Sequence, residues 1–237
     1  DEAAKAGADI IKLQTYKANS MTLDLKTKDF IINDKKSLWY GKSLYELYSI
    51  GSTPWEWHKA IFKRAKQNKI ICISTPFDES AVNFLEKLNV PAYKISSFES
   101  TDHLLLKKVA NTKKPIILST GMSSIKEIAE SIEVIKSQGN DNIVLLKCTS
   151  TYPAKAKDSN IKTIPHMKKI FKCHIGLSDH TLGIGTSIAA VSFGAKIIEK
   201  HFTLSRKDGG IDSKFSLEPQ EMKMLVKETK QAFNSIG

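Results

Sequence analysis

Residues 174–201 read HIGLSDHTLGIGTSIAAVSFGAKIIEKH. Two apolar runs, His174–Ser178 and Lys196–Lys200, flank a segment of small and apolar residues at helical spacing, Gly183–Phe193. Runs this short and this apolar suit strands buried on both faces of a parallel sheet. Parallel strands cannot be joined by a tight turn; they need a crossover, usually a helix. The stretch is therefore one strand–helix–strand unit. Its strands end in polar residues: Ser178, Asp179 and His180, then Lys200 and His201.

Outward from this unit the same alternation fills the chain. Strands are predicted at Asp9–Thr15, Ile70–Ser74, Ala92–Ser96, Pro115–Ser119 and Ile143–Cys148. Amphipathic helices are predicted at Trp55–Gln67, Glu79–Leu88, Asp102–Asn111, Ser124–Lys136, Ile161–Phe171 and Pro219–Asn234. Their starts carry ordinary signals: proline in the first turn after Thr53, and the capping residues Asp78 and Ser123. Asp1–Ala8 reads as the last turns of a helix stopped by Gly7. Seven strand–helix repeats behind a broken helix predict an α/β protein, a (β/α)8 barrel lacking its first strand and most of its first helix. Residues 1–237 are then a partial barrel with an open seam, expected to be inactive and poorly soluble alone because its sheet edges are exposed. No G-x-G-x-x-G follows a strand, which counts against a dinucleotide fold. The stretch 16–53 is too long for an ordinary loop. Its apolar residues, among them Phe30, Leu38, Trp39, Tyr40, Leu47 and Tyr48, predict a packed excursion or lid.

Composition narrows the class. The chain has 237 residues, 41% of them hydrophobic, which excludes intrinsic disorder. No run approaches the roughly 20 apolar residues of a membrane span. Three cysteines are too few for a disulfide scaffold, so a cytoplasmic setting is expected. The net charge is +11, yet only Arg64 and Arg206 are arginine. Sequence-specific readers of nucleic acid lean on bidentate Arg, so a nucleic-acid partner is not expected.

In a parallel barrel the chemistry sits at the C-terminal ends of the strands. Lys12 and Lys94 interrupt otherwise apolar strands. Either they point outward and snorkel, or they point inward and hold a dianion. The hydroxyls of Thr75, Ser97, Ser119, Ser150 and Ser178 would complete such a cradle, although Ser and Thr at strand ends also cap helices. No strand end offers an apolar floor. His180 and His201 end consecutive strands, about 4.8 Å apart, so both imidazoles can reach one cation. Two histidines suit an open divalent site better than a closed structural zinc site; the alternative is hydrogen-bonded core histidines. Cys72 and Cys148 read as core packing. Asp212, in the Gly-rich stretch 209–213, either folds over the mouth toward a polyol or amide substrate or is simply solvated.

The segments IKLQTY (11–16), STPFD (74–78), VPAYKISSFE (90–99), KPIILSTGM (114–122), CTSTYP (148–153), GLSDHTLGI (176–184), GAKIIEKHFTL (194–204) and SLEP (216–219) together resemble the N-acylneuraminate (sialic acid) synthase family. LWYGKSLYELY (38–48), TPWEWH (53–58) and GGIDSKFSLEP (209–219) look like its pseudaminic acid synthase branch. The resemblance implies that Lys12, Thr75, Lys94, Ser97, Ser119, Ser150 and Ser178 bind phosphoenolpyruvate. It implies that His180 and His201 hold a divalent metal, Mn2+ ahead of Mg2+ or Co2+. It implies that Gln14, Glu99, Tyr152 and Asp212 contact an N-acetylated amino sugar. Ser150 stands where sialic acid synthases often have Asn, and Lys147 where the family often has His. The family's first-strand Glu and its C-terminal antifreeze-like domain have no counterpart in residues 1–237. The implied reaction condenses phosphoenolpyruvate with 2,4-diacetamido-2,4,6-trideoxy-altrose, for surface or flagellar glycans, in a homodimeric parent. The alternatives are a sialic or legionaminic acid synthase acting on N-acetylmannosamine or a related sugar, and a non-catalytic anion-binding barrel.

Overall fold

A computed structural model describes residues 1–237. Seven strands form one parallel sheet in sequence order: β1 (Ile10–Thr15), β2 (Ile71–Pro76), β3 (Tyr93–Ile95), β4 (Ile116–Ser119), β5 (Ile143–Cys148), β6 (His174–Asp179) and β7 (Ile198–Lys200). The helices are α1 (Glu2–Lys5), α2 (Ala18–Met21), α3 (Leu44–Gly51), α4 (Trp55–Gln67), α5 (Glu79–Lys87), α6 (His103–Ala110), α7 (Ile125–Ser137), α8 (Thr163–Phe171), α9 (Gly185–Ser192) and α10 (Pro219–Asn234). All seven expected strands are present, each within two residues of its expected ends. α4 and α10 match to the residue because both starts are marked, by Pro54 and by Pro219 inside a Glu218–Glu221 capping box. α1 ends near Gly7, whose φ of +86° lies in the left-handed region.

The sheet curls without closing. β1 and β7 are not hydrogen-bonded to each other, yet Lys12 of β1 forms an ion pair with Glu199 of β7. The two edge strands therefore face one another across the opening. This is a (β/α)8-type sheet with seven strands.

Side chains alternate along each strand, and the alternation sorts them into two environments. One set faces the helices. Tyr93, Ile95, Ile116, Leu118, Ile143, Leu145, Ile175 and Leu177 join residues of α5 to α9 in the main core. The other set faces the axis. Its lower layer is apolar, Ile73, Ile117 and Leu146, with Val144 and Ile197 against it. Gly176 belongs to this layer, where a Cβ would collide with the Ile197 carbonyl and the Leu146 side chain. An apolar floor therefore does exist, although the strand ends themselves are polar. It lies below the strand ends, where reading the ends alone does not reach.

His58 on α4 ties β1 and β2 together. Its Nδ1 donates to the Pro54 carbonyl at 3.2 Å. That leaves Nε2 to accept from Thr15 Oγ1 at 2.8 Å, and Thr15 in turn meets Ser74 Oγ at 2.7 Å. Burial lowers the His58 pKa below its ordinary 6.5, against the opposing hydrogen bonds of the Pro54 and Trp55 backbone. A lowered pKa favours the neutral ring in the fold. Its contribution is complete above pH 6.5 and is lost as pH falls through the lowered value. Urea unfolding at pH 7 and pH 5 should show a steeper acid loss in the parent than in His58→Gln. Equal slopes would rule out His58 as a source of that loss.

The stretch 16–53 is a packed excursion, as expected. It carries α2, a 3-10 turn at Lys28–Phe30 and α3, which opens on a Ser43–Glu46 capping box. Ile31 bridges Ser43, and Ile32 exchanges backbone hydrogen bonds with Gly41 and Lys42, so residues 32–42 fold back as a loop. No helix is long and apolar enough to cross a membrane.

Candidate active site

Above the apolar floor the axis turns polar. Lys94 lies between Tyr93 and Ile95 on β3; those two pack outward, so Lys94 must point inward. Its side chain is 4% exposed. Its Nζ donates to Ser119 Oγ at 2.7 Å and to the Ile95 carbonyl at 3.0 Å, and lies 3.5 Å from Glu199. Lys12 on β1 pairs with the other Glu199 oxygen. Both lysines therefore face the interior rather than snorkelling between helices.

Glu199 is the residue that sequence reasoning missed. Both of its oxygens are shielded from solvent, and beyond the two ammonium groups they take no further hydrogen bond. Burial raises its pKa, but Lys12 and Lys94 overcome this and hold it far below the usual carboxylate range. Burial pulls Lys94 down to about 8, against the attraction of Glu199. The signal was present, since Glu199 interrupts an apolar run just as Lys94 does. Between Lys196 and Lys200, however, it reads as one more surface charge. The register settles its direction: Glu199 pairs with Ser178, which pairs with Cys148, and all three face the axis.

The other expected anion-binding residues surround this cluster. Ser119 takes the Lys94 bond. Ser97 accepts from the Gly121 backbone N–H at 3.1 Å. A Cβ at Gly121 would collide with Ser150 Oγ and lie 2.9 Å from Ser97 Oγ, so Ser97 and Ser150 converge on that glycine. Ser178 is buried beside Glu199 in the ladder. Thr75 is buried beside Gln14, and its hydroxyl has no partner in the protein. An orphaned buried hydroxyl is costly and marks an unfilled polar contact.

The histidines stand at the mouth, their ring centroids 5.3 Å apart. His180 Nδ1 is 3.0 Å from the Thr149 carbonyl, which can only accept, so the proton sits on Nδ1 and Nε2 presents a lone pair. His201 Nδ1 lies 3.4 Å from Asp212 Oδ2, which frees its Nε2 in the same way. No group of three His, Cys, Asp or Glu side chains converges here. Two imidazoles with free Nε2 atoms fit an open divalent site completed by water or substrate oxygen, and do not fit a closed structural site. Tyr152 packs on His180 at 4.5 Å, and Phe215 on His201 at 5.0 Å, forming an aromatic wall.

Asp212 lies beside His201 at the mouth, with its side chain 39% exposed. Glu99 accepts from Ser96 Oγ; burial pushes its carboxyl up, and burial, then the Glu99 charge, raises the nearby Tyr48 phenol. Cys72 packs in a small core cluster as expected. Cys148 does not: its sulfur lies 3.7 Å from Ser150 Oγ and 3.9 Å from His180 Nδ1, because its even place on β5 faces the axis. Asp179 and Lys200 form a fully buried pair at 3.1 Å, and Asp179 also binds Ser187 Oγ at 2.6 Å. That pair braces the strand ends carrying the histidines.

The NeuB family model matches residues 1–237. The chain is 45% identical over 235 residues to the pseudaminic acid synthase of Campylobacter jejuni, covering 99% of this chain and 68% of that protein. It is 40% identical over 242 residues to the N,N'-diacetyllegionaminic acid synthase of the same organism, covering 99% and 70%. The N-acetylneuraminic acid (sialic acid) synthetase of Leptospira borgpetersenii, solved in complex with citrate, superposes with a TM-score of 0.89 at 31% identity, covering all of this chain and 77% of that one. Fold, strand-end chemistry and sequence agree: the chain belongs to the NeuB family.

Proposed function

We propose that the chain carries the catalytic barrel of a pseudaminic acid synthase. The observation that carries this reading is the Lys12–Glu199–Lys94 cluster below the His180–His201 pair, at the C-terminal ends of the strands. A buried ammonium group, on Lys94, and a half-buried one, on Lys12, at the foot of a polar well suit a compact substrate bearing both phosphate and carboxylate. Lys12 and Lys94 neutralise phosphoenolpyruvate. The hydroxyls of Thr75, Ser97, Ser119, Ser150 and Ser178 hold its oxygens. Gln14, Glu99, Tyr152 and Asp212 hold the open-chain 2,4-diacetamido-2,4,6-trideoxy-altrose above it.

A bond forms between C3 of phosphoenolpyruvate and the aldehyde carbon of the sugar, whose oxygen takes up a proton. Water adds at C2 of the former phosphoenolpyruvate, the C–O bond to phosphate breaks, and inorganic phosphate leaves. Both lysines stay in place while negative charge redistributes, so they stabilise the tetrahedral stage without reorganisation. His180 and His201 would hold a divalent ion, Mn2+ ahead of Mg2+ or Co2+, through their Nε2 atoms. When bound, such an ion supplies Lewis acidity toward a carbonyl oxygen.

The preference for the altrose derivative rests on the pseudaminic-like segments 38–48 and 209–219 and on the 45% relative. The legionaminic relative, at 40%, supports the same chemistry on another sugar. Phosphate release by the full-length protein, measured in parallel with the altrose derivative, N-acetylmannosamine and the legionaminic precursor, decides. Fastest release with the first is expected. Faster release with either other sugar would move the chain to another branch. Phosphoenolpyruvate binding without release on any sugar would leave only an anion-binding barrel.

A further inference from the structure

The excursion 16–53 contributes no strand to the sheet, yet it is docked on one particular loop. Trp39 Nε1 donates to the Ile211 carbonyl at 3.3 Å, a contact between residues 172 positions apart. At the end of α3, a Cβ on Gly51 would stand 2.9 Å from Ile211 Cδ1 and 3.0 Å from Tyr16 Oη. A side chain there would press on the tip of Ile211 and displace it. Tyr16 is buried, edge-on to Tyr48 at 5.9 Å and to Phe77 at 5.2 Å, and its hydroxyl and the Ile211 side chain both border Gly51.

Ile211 immediately precedes Asp212, the one carboxylate in contact with His201. The far side of the loop is fastened too. Ser216 Oγ donates to the Asp212 carbonyl at 2.7 Å, and Phe215 packs on His201. Asp212 is thus held from the excursion on one side and from the aromatic wall on the other. Burial, then the Asp212 charge, push the Tyr16 phenol up to about 12, which is consistent with the two standing close.

We propose that Trp39 and Gly51 are positioning residues that set where Asp212 stands over the mouth, so that the excursion and residues 209–216 act as one sugar-selecting unit. The proposal deepens the function read above and rests on it. Its chemistry is local to the rim: the anion-binding lysines lie below and take no part. A change in the latch therefore alters recognition of the polyol or amide substrate and leaves recognition of the anion intact.

Trp39→Phe keeps an aromatic ring, smaller than the indole, and removes the donor. In the full chain it should raise the KM for the amino sugar about tenfold, the effect of one lost hydrogen bond, with the KM for phosphoenolpyruvate unchanged. Backbone amide exchange at 209–216 should rise while that at 93–99 stays as in the parent. Gly51→Ala should act in the same direction by displacing Ile211. Unchanged exchange at 209–216 in both variants overturns the latch. So does an equal rise in both KM values, which would mark a general structural role. If the parent turns over none of the three sugars, the function reading fails, and the exchange measurement still decides the latch.

Discussion

Glu199→Gln should lower the melting temperature by about 10 °C and make the protein newly dependent on bound anion. The substitution keeps the shape of the side chain and removes its charge. Lys94, 4% exposed, then has no counter-charge. Breaking a buried pair by removing one partner costs about 3–5 kcal/mol, because the other charge stays buried and uncompensated. For a chain of this size each kcal/mol moves the midpoint by about 2–4 °C. Inorganic phosphate or phosphoenolpyruvate can replace the missing negative charge, so either should raise the midpoint more in Glu199→Gln than in the parent. Adding Lys94→Met should recover part of the loss, since it removes the stranded ammonium. Thermal melts of the three proteins, with and without phosphate, test this. A Glu199→Gln protein as stable as the parent, or one that phosphate protects no better, would show that Glu199 does not balance the lysines.

The second large effect is on turnover. In the full-length protein, His201→Ala and His180→Ala should each reduce phosphate release by about 10³-fold, the equivalent of several kcal/mol of transition-state stabilisation. Thermal protection by phosphoenolpyruvate should persist in both, because the lysines lie below the histidines and bind independently. Treating the parent with a chelator should reproduce the loss, and added manganese should restore the parent but not the variants. Full turnover by His201→Ala, with and without manganese, would refute the ligand role. The two predictions divide the site: one variant damages charge balance and stability, the other chemistry alone.

Much of this was legible in the chain because local rules and the fold agree. β5 and β6 are short apolar runs bounded by polar residues, and α7 opens one residue after the expected cap, on Ser124 in a box with Glu127 rather than on Ser123. Lys12 and Lys94 stood out because a charge in a buried strand must have a reason. Glu199 did not, since its neighbours Lys196 and Lys200 supply an ordinary surface reading. Its true partners sit on β1 and β3, and only the register reveals them. Cys148 was misjudged for a related reason: hydrophobicity says that a cysteine is buried, but not against what. The Trp39–Ile211 contact had no local signal at all, because no spacing rule links positions 172 residues apart.

The alternation along the strands has an evolutionary consequence. On β3, Tyr93 and Ile95 belong to the core and Lys94 to the site; on β5, Ile143 and Leu145 belong to the core and Cys148 to the site. Chemistry and folding free energy are thus written at alternate positions of the same strand. A lineage can change the inward letters at the strand ends and acquire a new substrate while the outward shell stays as it was, provided that paired charges such as Glu199 and its lysines change together, and can drift in the outward letters without losing its reaction. What it cannot accept is an insertion or deletion of one residue within a strand, which would exchange the two texts at once.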